Sequence, residues 1–437
     1  MHDSVSSTNN AAPLRIAELF AGVGGFRLGF EGKAKEYIDQ YSVVFSNQWE
    51  PSTNRQHASE VYEYVFGSDG HNPNDIGTVS TEEIPSIDVL VGGFPCQDYS
   101  VAKSLPSSMG LFGKKGVLWW QIERILRQKY ESGNTVPYVV LENVDRLIKS
   151  PATQRGRDFA VMLSSLNSLG YHVEWRVINA AEYGFPQRRR RLFIVAVHGS
   201  VAHSHNEDGS LGIVERAFPT EGKSLFVSQP IGLSEYPNLS SLSEHFNLKT
   251  PNAQPFKNSG FSLNGLVYTL QVVPVPQEKY TVLGDILIEE ASDEYYVLEA
   301  EMEKWQYLKG AKAEKRITSE GFEYDYSEGG MVFPDALDNA SRTIITGEGG
   351  RTASRFKHVV VCKSGRGLRR LTPIELERLN MFPDNHTRLG VSGELSDTKR
   401  AFFMGNALVV GVVDKIAREL WNYHIRSSEY NSNYTAK

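Results

Sequence analysis

Asp88-Val-Leu-Val-Gly-Gly-Phe-Pro-Cys-Gln-Asp-Tyr-Ser100 is the stretch on which the fold turns. Val89-Leu90-Val91 is an unbroken apolar run, the pattern of a strand buried on both faces of a parallel sheet. Gly92-Gly93 cuts strand propensity sharply. Pro95 then restricts the backbone just before Cys96. The expectation is a thiol on a stiff loop at the carboxyl end of a strand, where open α/β sheets keep their chemistry. Taken alone, Cys96 also reads as a small buried hydrophobe.

At 437 residues the chain is long enough for about two or three domains. Its net charge of −6 argues against a globally basic nucleic-acid binder and leaves room for a local basic face. Two cysteines, far apart, exclude a disulfide framework and a cysteine-rich zinc site, so no metal is expected. They fit a reducing compartment. No apolar run approaches membrane-spanning length. The polar N-terminus reads as a disordered tail over 1–13, and 426–437 reads as a flexible one.

Leu14–Phe20 reads as a strand running into Ala21-Gly22-Val23-Gly24-Gly25 and then a helical pattern. Strand, glycine turn and helix suit a nucleotide-type ligand, because glycine lets the ligand approach the backbone and the helix start offers free N–H groups. A dinucleotide fingerprint would need a third glycine where Arg27 stands. A second strand ends at Gln48-Trp49-Glu50, where a polar residue usually holds ribose hydroxyls. Trp49 could flank an adenine or be a core aromatic, and Asp75 could bind an adenine amine or be a solvated loop residue. Val117–Leu126 has helical spacing.

Pro137–Val144 is another buried strand, and Glu142 ends its apolar run. A carboxylate there needs a partner or a chemical task. Gln187-Arg-Arg-Arg-Arg191 leads into the strand Leu192–Val197. Alternation sends Arg189 and Arg191 to one face and Arg188 and Arg190 to the other. Either pair suits a phosphate or a carbonyl, and a solvated charge run is the plainer reading.

The order of these pieces carries more information than any one of them. Phe20-Ala-Gly-Val-Gly-Gly25, Pro95-Cys96-Gln97, Glu142-Asn143-Val144 and Gln187–Arg191 together resemble the cytosine-C5 DNA methyltransferases, chiefly the bacterial modification enzymes. The resemblance resumes at Arg370–Pro383 and Gly405-Asn406-Ala407. It implies an α/β fold, with a Rossmann-like S-adenosylmethionine-dependent domain and a smaller, irregular, mostly β target-recognition domain. It also implies that Cys96 attacks C6 of a flipped-out cytosine. Glu142 would contact N3 and the exocyclic amine, Arg189 the O2 carbonyl, and Arg191 would hold the catalytic architecture. Phe20, Gly22, Val23, Gly25, Trp49, Asp75, Ile76, Leu118 and Asn406 match positions around S-adenosyl-L-methionine. Gln48 stands at the ribose position, where the family commonly has Glu. Gly-Asn-Ala stands where Gly-Asn-Ser is common.

The expected layout is a discontinuous catalytic domain, 14–198 plus 399–425, with target recognition over 199–398. Expected DNA contacts are Gln97, Ser100 and Lys103 on a loop that closes over DNA, and Arg342, Arg351, Arg355 and Lys357 further on. A hairpin with a solvated tip is the alternative for that last group. Thr372-Pro373 with Glu375 reads as a capped helix start. Val409, Val412, Val413, Ile416 and Leu420 form the apolar stripe of a final helix that should return to the first domain. The expected partners are double-stranded DNA and, functionally, a restriction endonuclease, for a monomer in a bacterial cytoplasm. The rivals are a tRNA-directed relative and a silent DNA-binding module, with a nicotinamide oxidoreductase weakest.

Overall fold

Val89-Leu90-Val91 and Tyr138-Val-Val-Leu141 are buried on both faces, and they lie side by side at the centre of one large sheet. The computed structural model describes residues 12–32, 40–94, 117–202, 206, 209–221, 225–226, 229–317 and 321–435. Five parallel strands form one half of the sheet: β1 (Leu14–Leu19), β2 (Tyr41–Asn47), β3 (His71–Asn72), β4 (Val89–Gly93) and β5 (Tyr138–Val144), in the order β3-β2-β1-β4-β5. The chain then makes β6 (Tyr171–Asn179) and β7 (Arg190–His198). Strand β7 slots between β5 and β6, antiparallel to both.

The sheet does not stop at residue 198. The short strands β8 (Leu225–Phe226) and β9 (Ile231–Gly232) pair with β11 (Leu266–Gln271), and β10 (Ser259–Leu263) joins β11 to β6. Eleven strands among the described residues thus form one continuous sheet that crosses the boundary expected from composition. Composition located the change in character; hydrogen-bonding edges follow other rules, since the open edge of β6 invites another strand.

Helices cover both faces. Val89 and Val91 pack with Phe26 and Phe30 of α1 (Gly25–Phe30), whereas Leu90 packs on the other side with Trp119 and Ile122 of α3 (Val117–Glu131), after α2 (His57–Phe66). On that second face α4 (Arg157–Ser168) adds Phe159 and Leu163. Helices α5 (Ile213–Ala217) and α6 (Leu239–His245) follow, with one contributing to each face. The irregular region continues through α7 (Leu283–Ile286), α8 (Met302–Lys309), the hairpin β12 (Lys312–Ile317) and β13 (Glu323–Glu328), and the pair β14 (Val359–Val361) and β15 (Leu368–Arg370).

The chain returns to the first core through α9 (Pro373–Leu379), α10 (Asp397–Asn406) and α11 (Val410–Thr435). Thr372 caps α9 through a capping box with Glu375, with Pro373 in the first turn. Far from sitting with the recognition region alone, α9 packs Leu376 and Leu379, with Phe382 beyond, into the cluster that holds Val23 and Phe26. The apolar stripe of the last helix, Val412, Val413, Ile416 and Leu420, is buried in the same cluster. A Cβ at Gly29 would sit 2.5 Å from Val413 Cγ1, so glycine lets α1 and α11 approach closely. Helix α11 runs on to Thr435, where a flexible tail was expected from 426.

One buried carboxyl marks the end of β1. Glu18 has no exposed surface and accepts hydrogen bonds from the Tyr62 hydroxyl at 2.9 Å and the Arg27 backbone N–H at 3.3 Å. Burial outweighs these bonds and pushes its pKa up to about 7. The folded value lies above the unfolded one, so the stabilisation is complete below the unfolded carboxyl pKa of about 4.3 and is lost as pH rises through 7. Glu18→Gln has no such titration. The melting temperature of the native protein should therefore fall relative to the variant between about pH 4.5 and 7, then run parallel to it. Parallel curves across the whole range, read by thermal unfolding, would contradict this.

Candidate active site

The carboxyl ends of the parallel strands converge on one region. After β1, Phe20 takes a positive φ of 56° and Gly22 one of 56°, which turns the chain back into α1. Among the described residues a Cβ added at Gly22 would meet nothing within 4 Å, so they leave space open over the turn. Its N–H donates to Gln48 Oε1 at 2.7 Å, which ties the turn to the end of β2. Trp49 beside it is 38% exposed. Val23 is buried in the core, and its carbonyl accepts from His386 Nε2 at 2.7 Å. A Cβ on Gly25 would lie 3.2 Å from Leu408 and 3.3 Å from Phe382, so the final segment packs directly under the turn.

Asp75 accepts from the Gly77 N–H at 2.9 Å and caps the short turn that carries buried Ile76. Two residues not singled out from the sequence hold this turn in place. Buried Asn47 donates through Nδ2 to the carbonyls of Asn72 and Asn74, at 3.0 and 2.8 Å. Arg124 of α3 donates to the carbonyls of Ile76 and Val79, both at 3.1 Å, and so fixes the turn against the helix that begins near half-buried Leu118. Asn and Arg at such positions carry no local signal, because their partners lie far along the chain. Asn406 is exposed at the end of α10.

Beside this cradle lies a cluster of opposite charges. Parallel pairing sets Gly93 of β4 against Glu142 of β5, and a Cβ at Gly93 would be 3.1 Å from Glu142 Oε2. Because β7 is antiparallel to β5, its first residues lie against the last residues of β5, and Val144 faces Arg191. Arg191 Nε meets Glu142 Oε1 at 2.8 Å. Arg189 is buried beneath them, with one donor on the Gly405 carbonyl at 2.8 Å. Its Nε and Nη1 are buried without a partner among the described residues. Arg188 and Arg190 are exposed, so the expected alternation of the four arginines is found.

The electrostatics follow from burial. Desolvation raises the Glu142 pKa, against the pull of Arg191 and Arg189. Desolvation and the neighbouring Arg191 charge lower Arg189 to about 9, which Glu142 partly offsets. Two uncommitted donors on a buried cation demand an acceptor. A carbonyl oxygen of a bound substrate would supply one.

Cys96, Gln97, Ser100 and Lys103 lie outside the described residues. The approach to them is defined. Phe94 packs on Trp119 with ring centroids 5.8 Å apart, and its carbonyl accepts from Asn143 Nδ2 at 2.8 Å.

The basic residues expected to meet DNA fare differently. Arg342 forms a two-pronged pair with Asp335, at 2.7 and 3.2 Å, and donates to the Phe356 carbonyl at 3.0 Å. Arg355 binds the carbonyls of Leu308 and Gly310 at 2.9 and 3.0 Å and also that of Gly329. Lys357 is buried and donates to the carbonyls of Gly350 and Thr352, both at 2.6 Å. In this structure the three charges have partners inside the protein, where carbonyls and Asp335 replace the water lost on burial. Arg351 remains 75% exposed on the side chain, in a surface pair with Glu294 that is worth little.

A residue-level profile of C-5 cytosine-specific DNA methylases matches residues 14–422. The chain belongs to that family. It is a DNA (cytosine-5)-methyltransferase, and the methyl donor of these enzymes is S-adenosyl-L-methionine. The chain is 43% identical over 419 residues to the Type II methyltransferase M.Sau3AI of Staphylococcus aureus, covering 93% of this chain and 95% of that protein. It is 27% identical over 406 residues to the Type II methyltransferase M.NlaX of Neisseria lactamica, covering 93% and 96%. Among solved structures, the Dnmt2 methyltransferase of S. pombe shares the fold, with a TM-score of 0.56 at 15% identity over 94% of this chain and 98% of that one. For a cytosine methyltransferase of this kind, the open space over Gly22 fits a cofactor that needs close backbone approach.

Gln187, just before the arginines, is fully buried. Its Oε1 accepts from Ile344 N–H at 3.1 Å, and its Nε2 donates to Asn380 Oδ1 at 2.9 Å and the Leu379 carbonyl at 3.3 Å. One side chain therefore joins the approach to β7, the 341–344 segment and the end of α9. Gln187→Leu leaves these groups buried and unpaired and should destabilise the fold by about 3 kcal/mol. Chemical denaturation checks this; a midpoint within error of the native protein would be the contrary result.

Proposed function

We propose that this methyltransferase modifies C5 of a cytosine flipped out of a specific double-stranded DNA sequence, through a covalent bond from Cys96 to C6. The observation that carries the reading is the Glu142–Arg191 pair beside Gly93, with the two unpaired donors of buried Arg189 beneath it. C5 of cytosine is a poor nucleophile, and addition of a thiolate at C6 makes it enamine-like. Glu142, at N3 and the exocyclic amine, stabilises the charge that develops in the ring, and its raised pKa favours holding a proton there. Arg189 receives the O2 carbonyl, and Arg191 orients Glu142. After methylation the C5 proton is removed, the C6–sulfur bond breaks and the thiolate returns. The reacting ring edge is hidden in a duplex, so the base must leave the stack.

S-adenosyl-L-methionine supplies the methyl group as an electrophile. Phe20, Gly22, Val23 and Gly25 form its cradle, Trp49, Asp75, Ile76 and Leu118 line the adenosine side, and Asn406 closes it from α10. Gln48 presents an amide where the family has a carboxylate; its Oε1 holds Gly22, which leaves Nε2 for a ribose hydroxyl. The same division of labour gives residues 14–198 with 399–425 the chemistry and 199–398 the choice of target. Gln97, Ser100, Lys103 and exposed Arg351 are the basic and polar contacts retained for DNA. The Type II naming of the bacterial M.Sau3AI and M.NlaX supports a bacterial enzyme, acting in the cytoplasm, that protects DNA from a partner restriction endonuclease; a monomer suffices for this chemistry. No helix among the described residues is long and apolar enough to cross a membrane.

Transfer of labelled methyl from S-adenosyl-L-methionine to duplex DNA, with bisulfite sequencing of the product, tests the reading. Cys96→Ala should abolish transfer and leave cofactor binding intact. Glu142→Gln should lower the single-turnover rate about 10²–10⁴-fold. The native rate should fall as rising pH takes the proton from Glu142, and the variant should show no such fall. Full activity of either variant would overturn the assignment.

A further inference from the structure

The glycine turn after β1 is held from beneath by one histidine. Phe20, Gly22 and Gly24 take positive φ values of 56°, 56° and 85°, so the chain enters α1 by an irregular path. In a regular helix start the Arg27 N–H would reach back four residues to the Val23 carbonyl. Here that N–H goes to Glu18 Oε1 at 3.3 Å. The Val23 carbonyl is bonded instead by His386 Nε2, at 2.7 Å. A carbonyl can only accept, so Nε2 carries the proton. Val23 and His386 are both buried, and loss of the bond would leave the carbonyl unpaired away from solvent.

His386 is set in place by packing and by a buried carboxylate. Its ring meets Phe382 edge-on at 5.0 Å between centroids and Phe66 at 5.9 Å. Those two rings press on the turn itself. A Cβ at Gly24 would lie 2.2 Å from Phe66, and one at Gly25 would lie 3.3 Å from Phe382. On either side of His386 in the chain, the N–H groups of Asn385 and Thr387 donate to fully buried Glu377, at 2.7 and 2.9 Å. Arg400 of α10 donates to the same carboxylate at 3.0 Å, and α10 ends at Asn406. One carboxylate therefore locates both the histidine under the turn and the helix that carries Asn406.

We propose that His386 is a positioning residue for the methyl donor. By taking the Val23 carbonyl it holds the 22–24 turn in the form that binds S-adenosyl-L-methionine, although it lies more than 350 residues further along the chain. This rests on the assignment of that turn to the cofactor, made above.

Calorimetric titration of the full chain with S-adenosyl-L-methionine and with S-adenosylhomocysteine reads the effect directly. His386→Phe keeps a ring between Phe66 and Phe382 and removes the donor. It should raise both Kd values, and the KM for S-adenosyl-L-methionine, about tenfold. The kcat at saturating donor and the KM for duplex DNA should stay within about twofold of native, the split expected when only cofactor binding is weakened. His386→Gln places an amide N–H at the reach of Nε2 and should restore the affinity. His386→Asn, whose amide falls short of Val23, should bind as weakly as the phenylalanine variant, and it replaces that variant if the latter does not fold. Native Kd values in either weakened variant would overturn the proposal. So would a glutamine variant as weak as the other two, or a lowered melting temperature with unchanged Kd, the pattern of a purely structural bond. Gly22→Asn tests the reading beneath, since asparagine tolerates the left-handed backbone and its side chain enters the open space. Native affinity in Gly22→Asn would remove the turn from the cofactor site, a result distinct from native affinity in His386→Phe beside a weakened Gly22→Asn.

Discussion

The antiparallel ladder between β5 and β7 is the constraint on which the site depends. A parallel neighbour would bring its carboxyl end beside Glu142. The reversed strand brings its beginning instead, and with it Arg189 and Arg191. Glu142 sits in a largely buried position where an isolated carboxylate would be expensive, and Arg191 at 2.8 Å makes that position tenable. Below the pair, burial and the neighbouring Arg191 charge bring the Arg189 pKa down to about 9. A buried cation with spare donors next to a carboxyl of raised pKa is poised for a polar planar ring.

The second organising element is Gln187. It directly precedes the four arginines, yet its bonds go to Ile344 and to the end of α9. The backbone just before Arg189 is thereby tied to Ile344 and to the returning C-terminal helices. Asn380 extends the connection by donating to the Met404 carbonyl at 2.7 Å, next to Gly405, which Arg189 holds. A Cβ at Gly405 would come within 2.4 Å of the Thr346 backbone, so the close approach of α10 to that segment requires glycine. The 341–346 segment, Arg189 and the end of α10 are linked by hydrogen bonds and close packing over a few residues.

Features with local causes were legible in the chain itself. The buried strands, the glycine turn, the Thr372 cap, the alternation of the four arginines and the apolar stripe of α11 all express short-range periodicity or backbone preference. The internal partners of Arg342, Arg355 and Lys357, buried carbonyls or a carboxylate, were not legible. Nothing within a few residues of an arginine says whether its guanidinium will meet solvent or a distant backbone. The same blindness hid Asn47 and Arg124, which brace the Asp75 turn.

The sequence by itself determined the family and the α/β class, because these are written in motif order and in residue chemistry that a fold must respect. Only the tertiary structure decided that the sheet continues through β10 and β11, that α9 supports the cofactor turn, and which basic residues stay exposed. Those outcomes depend on pairing between positions a hundred or more residues apart. There, burial and the need to satisfy every buried polar group select partners that no local pattern records.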